Sequence, residues 1–177
     1  QEKADREAVV DKGLPLLLPQ DYILLPQTNN HPDILISKYR LSLSQEVEQA
    51  AKKLSLNLSN NDKNPSYIGN INHEQALSLN KELNSFTLNP SYYVEFLSLL
   101  KKGKVIDGNK NKLNNQEINQ ILDDILTVRD PWRAEWLDHK YSLKNNKLHV
   151  TCHKFDSSGK LIETTEELDN TTLLEDK

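Results

Sequence analysis

The chain has 177 residues, 36% of them hydrophobic, with 22 Lys+Arg against 26 Asp+Glu and a net charge of −4. That length supports one medium domain or two small ones with a sizeable core. It offers no run of like charge long enough for a nucleic-acid arm and no apolar run near the ~20 residues that span a bilayer. The single cysteine excludes an internal disulfide and any zinc site built from several cysteines, and leaves the compartment open. Gln1 opens a chain with no methionine, the pattern expected of a processed or trimmed product that has lost a signal peptide or further domains.

Residues 2–12 read as a helix with Gly13 as its stop. Leu17-Leu18-Pro19-Gln20 then recurs as Leu24-Leu25-Pro26-Gln27, and prolines 15, 19 and 26 forbid a regular helix. Residues 1–30 are therefore expected to be an N-terminal helix and a leucine/proline-rich strap laid across a body; a polyproline-type ligand for a partner is the functional alternative. A short strand follows at Ile34–Ser37. Ser44 or Ser42 caps a helix reaching about Leu54, with Val47, Ala50, Ala51 and Leu54 on one face. Residues 55–71 carry Asn, Asp, Pro and Gly without a firm period and read as a loop, the best place for a boundary inside a 31–168 body.

Asn72 opens a helix to about Leu83, with Gln75 placed for a capping box and Ala76, Leu79 and Leu83 facing inward. Asn89-Pro90 starts another, with Tyr93, Phe96, Leu97 and Leu100 as its face and Gly103 as its end. The densest basic run, Lys101-Lys102-Gly103-Lys104, falls at that helix end. There the ordinary reading is cations favoured by the macrodipole, and the functional one a phosphate-binding patch. Asp107-Gly108 signals a turn. Asn114 with Glu117 forms a second capping box on a helix whose stripe is Ile118, Ile121, Leu122 and Ile125, and Pro131 stops its continuation.

The C-terminal region is an antiparallel meander. A two-residue turn at Asn145-Asn146 sets Leu143 opposite Leu148, Tyr141 opposite Val150 and His139 opposite Cys152 on one largely apolar face. Ser142–His149, Asp138–His153 and Trp136–Phe155 pair on the other. A turn at 156–159 leads to a third strand from Lys160 to about Leu168, and residues 169–177 form an acidic tail.

Three groups of residues invite chemistry. His139, His149, Cys152 and His153 have metal-ligating side chains, but the register divides them between two faces, so no metal site is expected. Cys152 activated by His139 as a nucleophile sits on the face read as core, where thiols are inert. Asp123, Asp124, Asp130, Glu135 and Asp138 suggest paired carboxylates, yet Asp123 and Asp124 fall on the solvated side of their helix. Trp132, Arg133, Trp136 and Asp138 make the candidate binding corner, through stacking and cation–π contact, with a core anchor as the bland alternative. No Walker loop, GxGxxG, HExxH or GxSxG occurs, so no catalytic residue and no cofactor is assigned.

HPDILIS (31–37), FLSLLKKGKVIDGNKNKL (96–113), ILDDILTVRDPWRAEWLDHKY (121–141) and KLHVTCHKFDSSGKL (147–161) together resemble the N-terminal region of a group of archaeal and viral proteins. Members of that group continue into a C-type-lectin-like, formylglycine-enzyme-like domain diversified by retroelements for ligand display. DPWRAEWLD is the most specific part of a likeness that covers residues 14–177. The resemblance implies a supporting or accessory role and transfers no functional residue, and this sequence stops at Lys177, ahead of any lectin-like domain.

The sequence thus reads as α+β: three or four helices packed with a C-terminal antiparallel β-meander. The expected function is a non-catalytic structural or interaction module, one form of which is the supporting N-terminal part of a larger ligand-display protein. Its partner would be protein, another domain or subunit, with no nucleic acid and no membrane span. A small-molecule or peptide-binding domain at the Trp132/Trp136 corner is the second reading, and a small enzyme with an acidic or His/Cys site the third.

Overall fold

A computed structural model describes residues 18–61, 64–69, 71–128 and 135–168. The expected N-terminal helix, Leu17 of the first leucine repeat, Trp132, Arg133 and the acidic tail lie outside them. Leu18 leads into a 3-10 turn (Pro19–Asp21), then β1 (Tyr22–Leu25) and β2 (Ile34–Ser37). The helices are α1 (Gln45–Lys53), α2 (His73–Glu82), α3 (Pro90–Lys102) and α4 (Asn115–Leu126). Between α1 and α2 lie β3 (Ser59–Asn61) and β4 (Asn64–Gly69), and β5 (Lys140–Lys144), β6 (Lys147–Phe155) and β7 (Leu161–Glu167) end the described chain. The protein is α+β, with four helices, two antiparallel hairpins and an antiparallel three-stranded meander among the described residues.

Local chemistry sets the helix ends. Asn72 and Gln75 form a reciprocal capping box, Oδ1 of Asn72 accepting from Gln75 N at 2.9 Å and Oε1 of Gln75 from Asn72 N at 3.0 Å. Asn89 accepts from Tyr92 N ahead of Pro90, and Gly103 leaves α3 in the left-handed region at φ 69°. The box expected at α4 is only half made. Asn114 accepts from Glu117 N at 2.8 Å, but the Glu117 carboxylate is bound to Lys38 Nζ at 2.5 Å, which ties α4 to the end of β2 instead.

Two corrections concern strands. The second leucine repeat is not a plain strap: Tyr22–Leu25 pairs antiparallel with Ile34–Ser37, Ile23 opposite Ile36 and Leu25 opposite Ile34. The flanking prolines, 19 and 26, lie just outside β1, where no ladder bond is needed. The 55–71 stretch is likewise not an open linker. Asn60 pairs with Ile68 in the β3–β4 hairpin, and Leu56, Leu58 and Ile68 pack on the α1/α2 cluster of Val47, Ala50, Leu79 and Leu83.

The main core joins Ile23, Phe96, Leu100, Val105, Leu113, Ile118 and Ile121, drawn from β1, α3, the 105–113 ribbon and α4. On α3 the buried row is Tyr92, Phe96 and Leu100, at i, i+4, i+8, with Tyr93 only partly covered. The ribbon is a tight hairpin: Leu113 N donates to Val105 O, Asp107 N to Asn111 O and Lys110 N to Asp107 O, with Lys110 at φ 66° closing the turn. Asp107 is buried and its Oδ1 takes the N–H groups of Asn109 and Asn111, both at 2.8 Å. Gly108 is required here, because a Cβ would lie 2.4 Å from Pro19 O, to which its N–H donates. This contact fixes the start of β1 against the ribbon.

The meander register agrees with the sequence reading. Leu143 is opposite Leu148, Tyr141 opposite Val150 and Ser142 opposite His149, around Asn145 and Asn146 at φ 53° and 62°, and β6 pairs with β7 from His149–Glu167 to Phe155–Leu161. The strand pairings His139–Cys152, Asp138–His153 and Trp136–Phe155 do not form, because the β5 ladder begins at Lys140. Before it, the Asp138 side chain takes the place of a strand partner, its Oδ2 accepting from His153 N at 2.6 Å. Phe155 packs instead on Phe86 and Tyr92.

Candidate functional site

The expected binding corner is spread over several environments. Trp136 is 43% exposed; its indole N–H donates to Ile71 O at 3.1 Å and its ring lies 5.6 Å from that of His73, at the N-terminus of α2. Asp138 is turned inward, 4% exposed, and its Oδ2 also receives Nδ1 of His153 at 3.0 Å. Its backbone N–H donates to Leu88 O. Both contacts fall on Oδ2, and it is the burial of the group, not a filled set of acceptor sites, that keeps it from an incoming ligand.

Asp138 belongs to a seam that holds the meander on the helical body. Asn89, while capping α3, donates Nδ2 to His153 O at 2.9 Å. The Tyr92 hydroxyl accepts from Phe155 N at 3.0 Å and donates to Asn30 O at 3.3 Å, so one phenol links α3, β6 and the β1–β2 loop. His31, buried beside it, places Nδ1 2.7 Å from Pro32 O and Nε2 2.9 Å from Glu95 Oε2. The capping signal at Asn89 was legible in the sequence, but its second bond was not. Tyr92 could have been found from its i, i+4, i+8 relation to Phe96 and Leu100.

The histidine and cysteine side chains stay apart. His153 is held by Asp138, His149 Nδ1 lies near its own strand's Lys147 O, and Cys152 is buried against Thr164. His139 stacks edge-on with Tyr141 and lies 6.0 Å from the His73 ring. Among the described residues, no three His, Cys, Asp or Glu side chains converge as a metal ion requires. The Asp138–His153 pair orients an imidazole as a general base needs, yet no hydroxyl or thiol hydrogen-bonds to His153 among the described residues.

The acidic residues diverge as well. Asp123 is exposed, Asp130 lies outside the described residues, and Asp124 and Glu135 both meet Arg40, at 3.5 and 3.4 Å. Burial pushes the nearby Tyr93 hydroxyl above its usual range; Glu135 adds to this and Arg40 opposes it.

The unsatisfied surface lies on the meander. Tyr141 is 58% and Leu143 75% exposed, on the sheet face they share with Leu148 and Val150. That face was expected to be core. On that face Cys152 is buried and Leu148 and Val150 are half-buried, while Tyr141 and Leu143 stay exposed. β5 is also a sheet edge, with β6 its only partner strand among the described residues. Comparison with protein-family models, with curated proteins and with solved structures returned no match.

Proposed function

We propose that the chain is a non-catalytic interaction module that receives an extended protein segment along β5. The exposed pair Tyr141 and Leu143 on an open edge strand carries this reading. An edge strand offers unpaired backbone donors and acceptors, and alternate side chains then select the partner. The β5 face opposite the apolar pair bears Lys140, which meets Glu74 at 3.2 Å, and Lys144, both exposed, so the fitting segment sets acidic residues on the lysine side, chiefly at Lys144, in alternation with apolar ones. The other edge strand, β7, carries Glu163, Glu166 and Glu167, charges that disfavour edge pairing with such a segment. On the likeness of DPWRAEWLD to display proteins, the segment would belong to an adjoining domain or subunit, and the helical body would be its support.

The test is a titration of the whole chain with a soluble peptide alternating valine and glutamate, followed by amide chemical shifts. Shifts centred on residues 140–144 are expected at peptide concentrations up to about 1 mM, the range of a weak strand addition. Leu143→Asp should abolish them without lowering stability. Absence of shifts on β5, or equal binding of a valine–lysine peptide, overturns the proposal.

A further inference from the structure

The meander has two open edges among the described residues, β5 and β7, and they are oppositely charged. β5 (KYSLK) holds lysines and no acid, and β7 (LIETTEE) holds glutamates and no base. Lys140 is level with Thr151 and Thr165, Ser142 with His149 and Glu167, and His153 with Glu163. Strand alternation therefore sets Lys140 and Lys144 on the same sheet face as Glu163 and Glu167, with equal spacing along the two edges. Glu166 points to the other face, with Tyr141, Leu143 and Ile162. All of these lysines and glutamates are exposed. Lys140 meets Glu74 at 3.2 Å and Glu167 meets Lys147 at 2.6 Å, surface pairs that hold their partners weakly. Lys144 and Glu163 form no ion pair among the described residues.

Charges on an edge strand ordinarily blunt it against pairing. Here the charge on each edge has the sign that the other edge accepts. β5 against a second β5 gathers lysines along one seam, and β7 against a second β7 gathers glutamates, arrangements that like charge opposes. β5 against β7 joins opposite signs. Of its two directions, the antiparallel one turns one sheet over and puts the lysines on the side of Ile162 and Thr164. The parallel one keeps both sheets the same way up. The matched spacing then brings Lys140 beside Glu163 and Lys144 beside Glu167 of the next copy, and Tyr141 and Leu143 continue their apolar face toward Ile162.

We infer that the segment received by β5 is β7 of a second copy of this chain, added parallel, so that copies join head to tail through their meanders. This pairing rests on the reading of β5 as an open acceptor edge and names what fills it. The backbone ladder supplies the attraction common to all strand addition, and the charge pairs select the partner strand and its direction. Such an interface is heterologous: two joined copies still leave one β5 and one β7 free, so addition continues past the dimer. Strand twist turns each copy relative to the last and gives the series a helical sense.

The experiment is sedimentation velocity of the whole chain from about 0.01 to about 1 mM, the range of weak association. The average mass should rise past that of a dimer without a plateau, and fall as salt is raised from about 0.1 to about 0.5 M. Lys140→Glu with Lys144→Glu makes β5 acidic, and Glu163→Lys with Glu167→Lys makes β7 basic, through exposed side chains only. Each variant alone should associate on the order of tenfold more weakly. An equimolar mixture should recover association, because the acidic β5 of one variant meets the basic β7 of the other. Amide shifts on dilution should fall on both 140–144 and 161–167. A chain that stays monomeric at about 1 mM overturns the inference. So does a mixture no stronger than its components, or shifts confined to one edge. The valine–glutamate peptide separates the two failures. A monomeric chain that still shows peptide shifts at 140–144 keeps the β5 reading and loses only this occupant, and one that shows none loses both.

Discussion

The helical body and the meander are written in the same hydrophobic alphabet and end in opposite states. Ile121, Leu100 and Ile23 each lie in a closed cluster to which several elements contribute. Tyr141 and Leu143 lie on a face equally well patterned, but no other element among the described residues buries them. Periodicity therefore establishes which side chains share a face, and says nothing of whether a second layer arrives to cover it. Burial is a property of two surfaces, and a sequence pattern describes one.

The largest effect that separates the two regions is a cavity in the body. Ile121→Ala is expected to cost about 2–5 kcal/mol in urea unfolding, because the surrounding α3, ribbon and β1 side chains are fixed by their own neighbours. Tyr141→Ala should cost far less, under about 1 kcal/mol, since its ring is half in water already. Similar losses from both would mean that the meander tip is packed in solution, and the β5 proposal would lose its surface.

Between these extremes stands the seam. Asp138→Ala strands the His153 backbone N–H and removes an imidazole contact, and should cost about 1–3 kcal/mol. Hydrogen exchange should accelerate through β5–β7 and leave α3 and α4 protected. Tyr92→Phe removes the acceptor of Phe155 N–H and should act in the same direction at about 1–2 kcal/mol. Uniform acceleration in both regions would show that they unfold as one unit.

How much of this was legible follows from the range of each interaction. The Asn145-Asn146 turn is local, both residues tolerate positive φ, and the register of the five β5–β6 residue pairs came with it. The caps at Asn72 and Asn89 are likewise three-residue signals. β1 was hidden because prolines 19 and 26 bracket only four paired residues, and its partner β2 is what makes it a strand. The 59–69 hairpin was hidden by polar composition. The Trp136–Phe155 error came from extending a correct register past its end, where a side chain, Asp138, substitutes for backbone pairing. The seam itself also joins residues as distant as Asn89 and His153, 64 apart in sequence, and no spacing rule reaches that far.

The smallest expected effect is one of pH, and it sharpens the comparison because it arises at a turn of the meander, away from the body's core around Ile121. Asp156 holds the β6–β7 turn from the surface. Its Oδ1 accepts from the Ser158 hydroxyl at 2.6 Å and from the N–H groups of Ser158 and Lys160 at 2.9 and 3.0 Å. The hydroxyl bond, and then the Lys160 N–H, lower its pKa below the ordinary 3.8. A carboxyl depressed in the folded state contributes stability that is fully present above its unfolded value and is lost as pH falls through the folded one. The turn should accordingly hold above about pH 4 and loosen progressively below it. Amide exchange at Ser158 and Lys160 should rise in that window relative to Asp156→Asn, in which the position no longer titrates. The buried amides around Ile121 should show no difference between the two proteins. A matching difference there would mean that the turn's charge is felt through the seam, and that body and meander are coupled more tightly than their separate clusters imply.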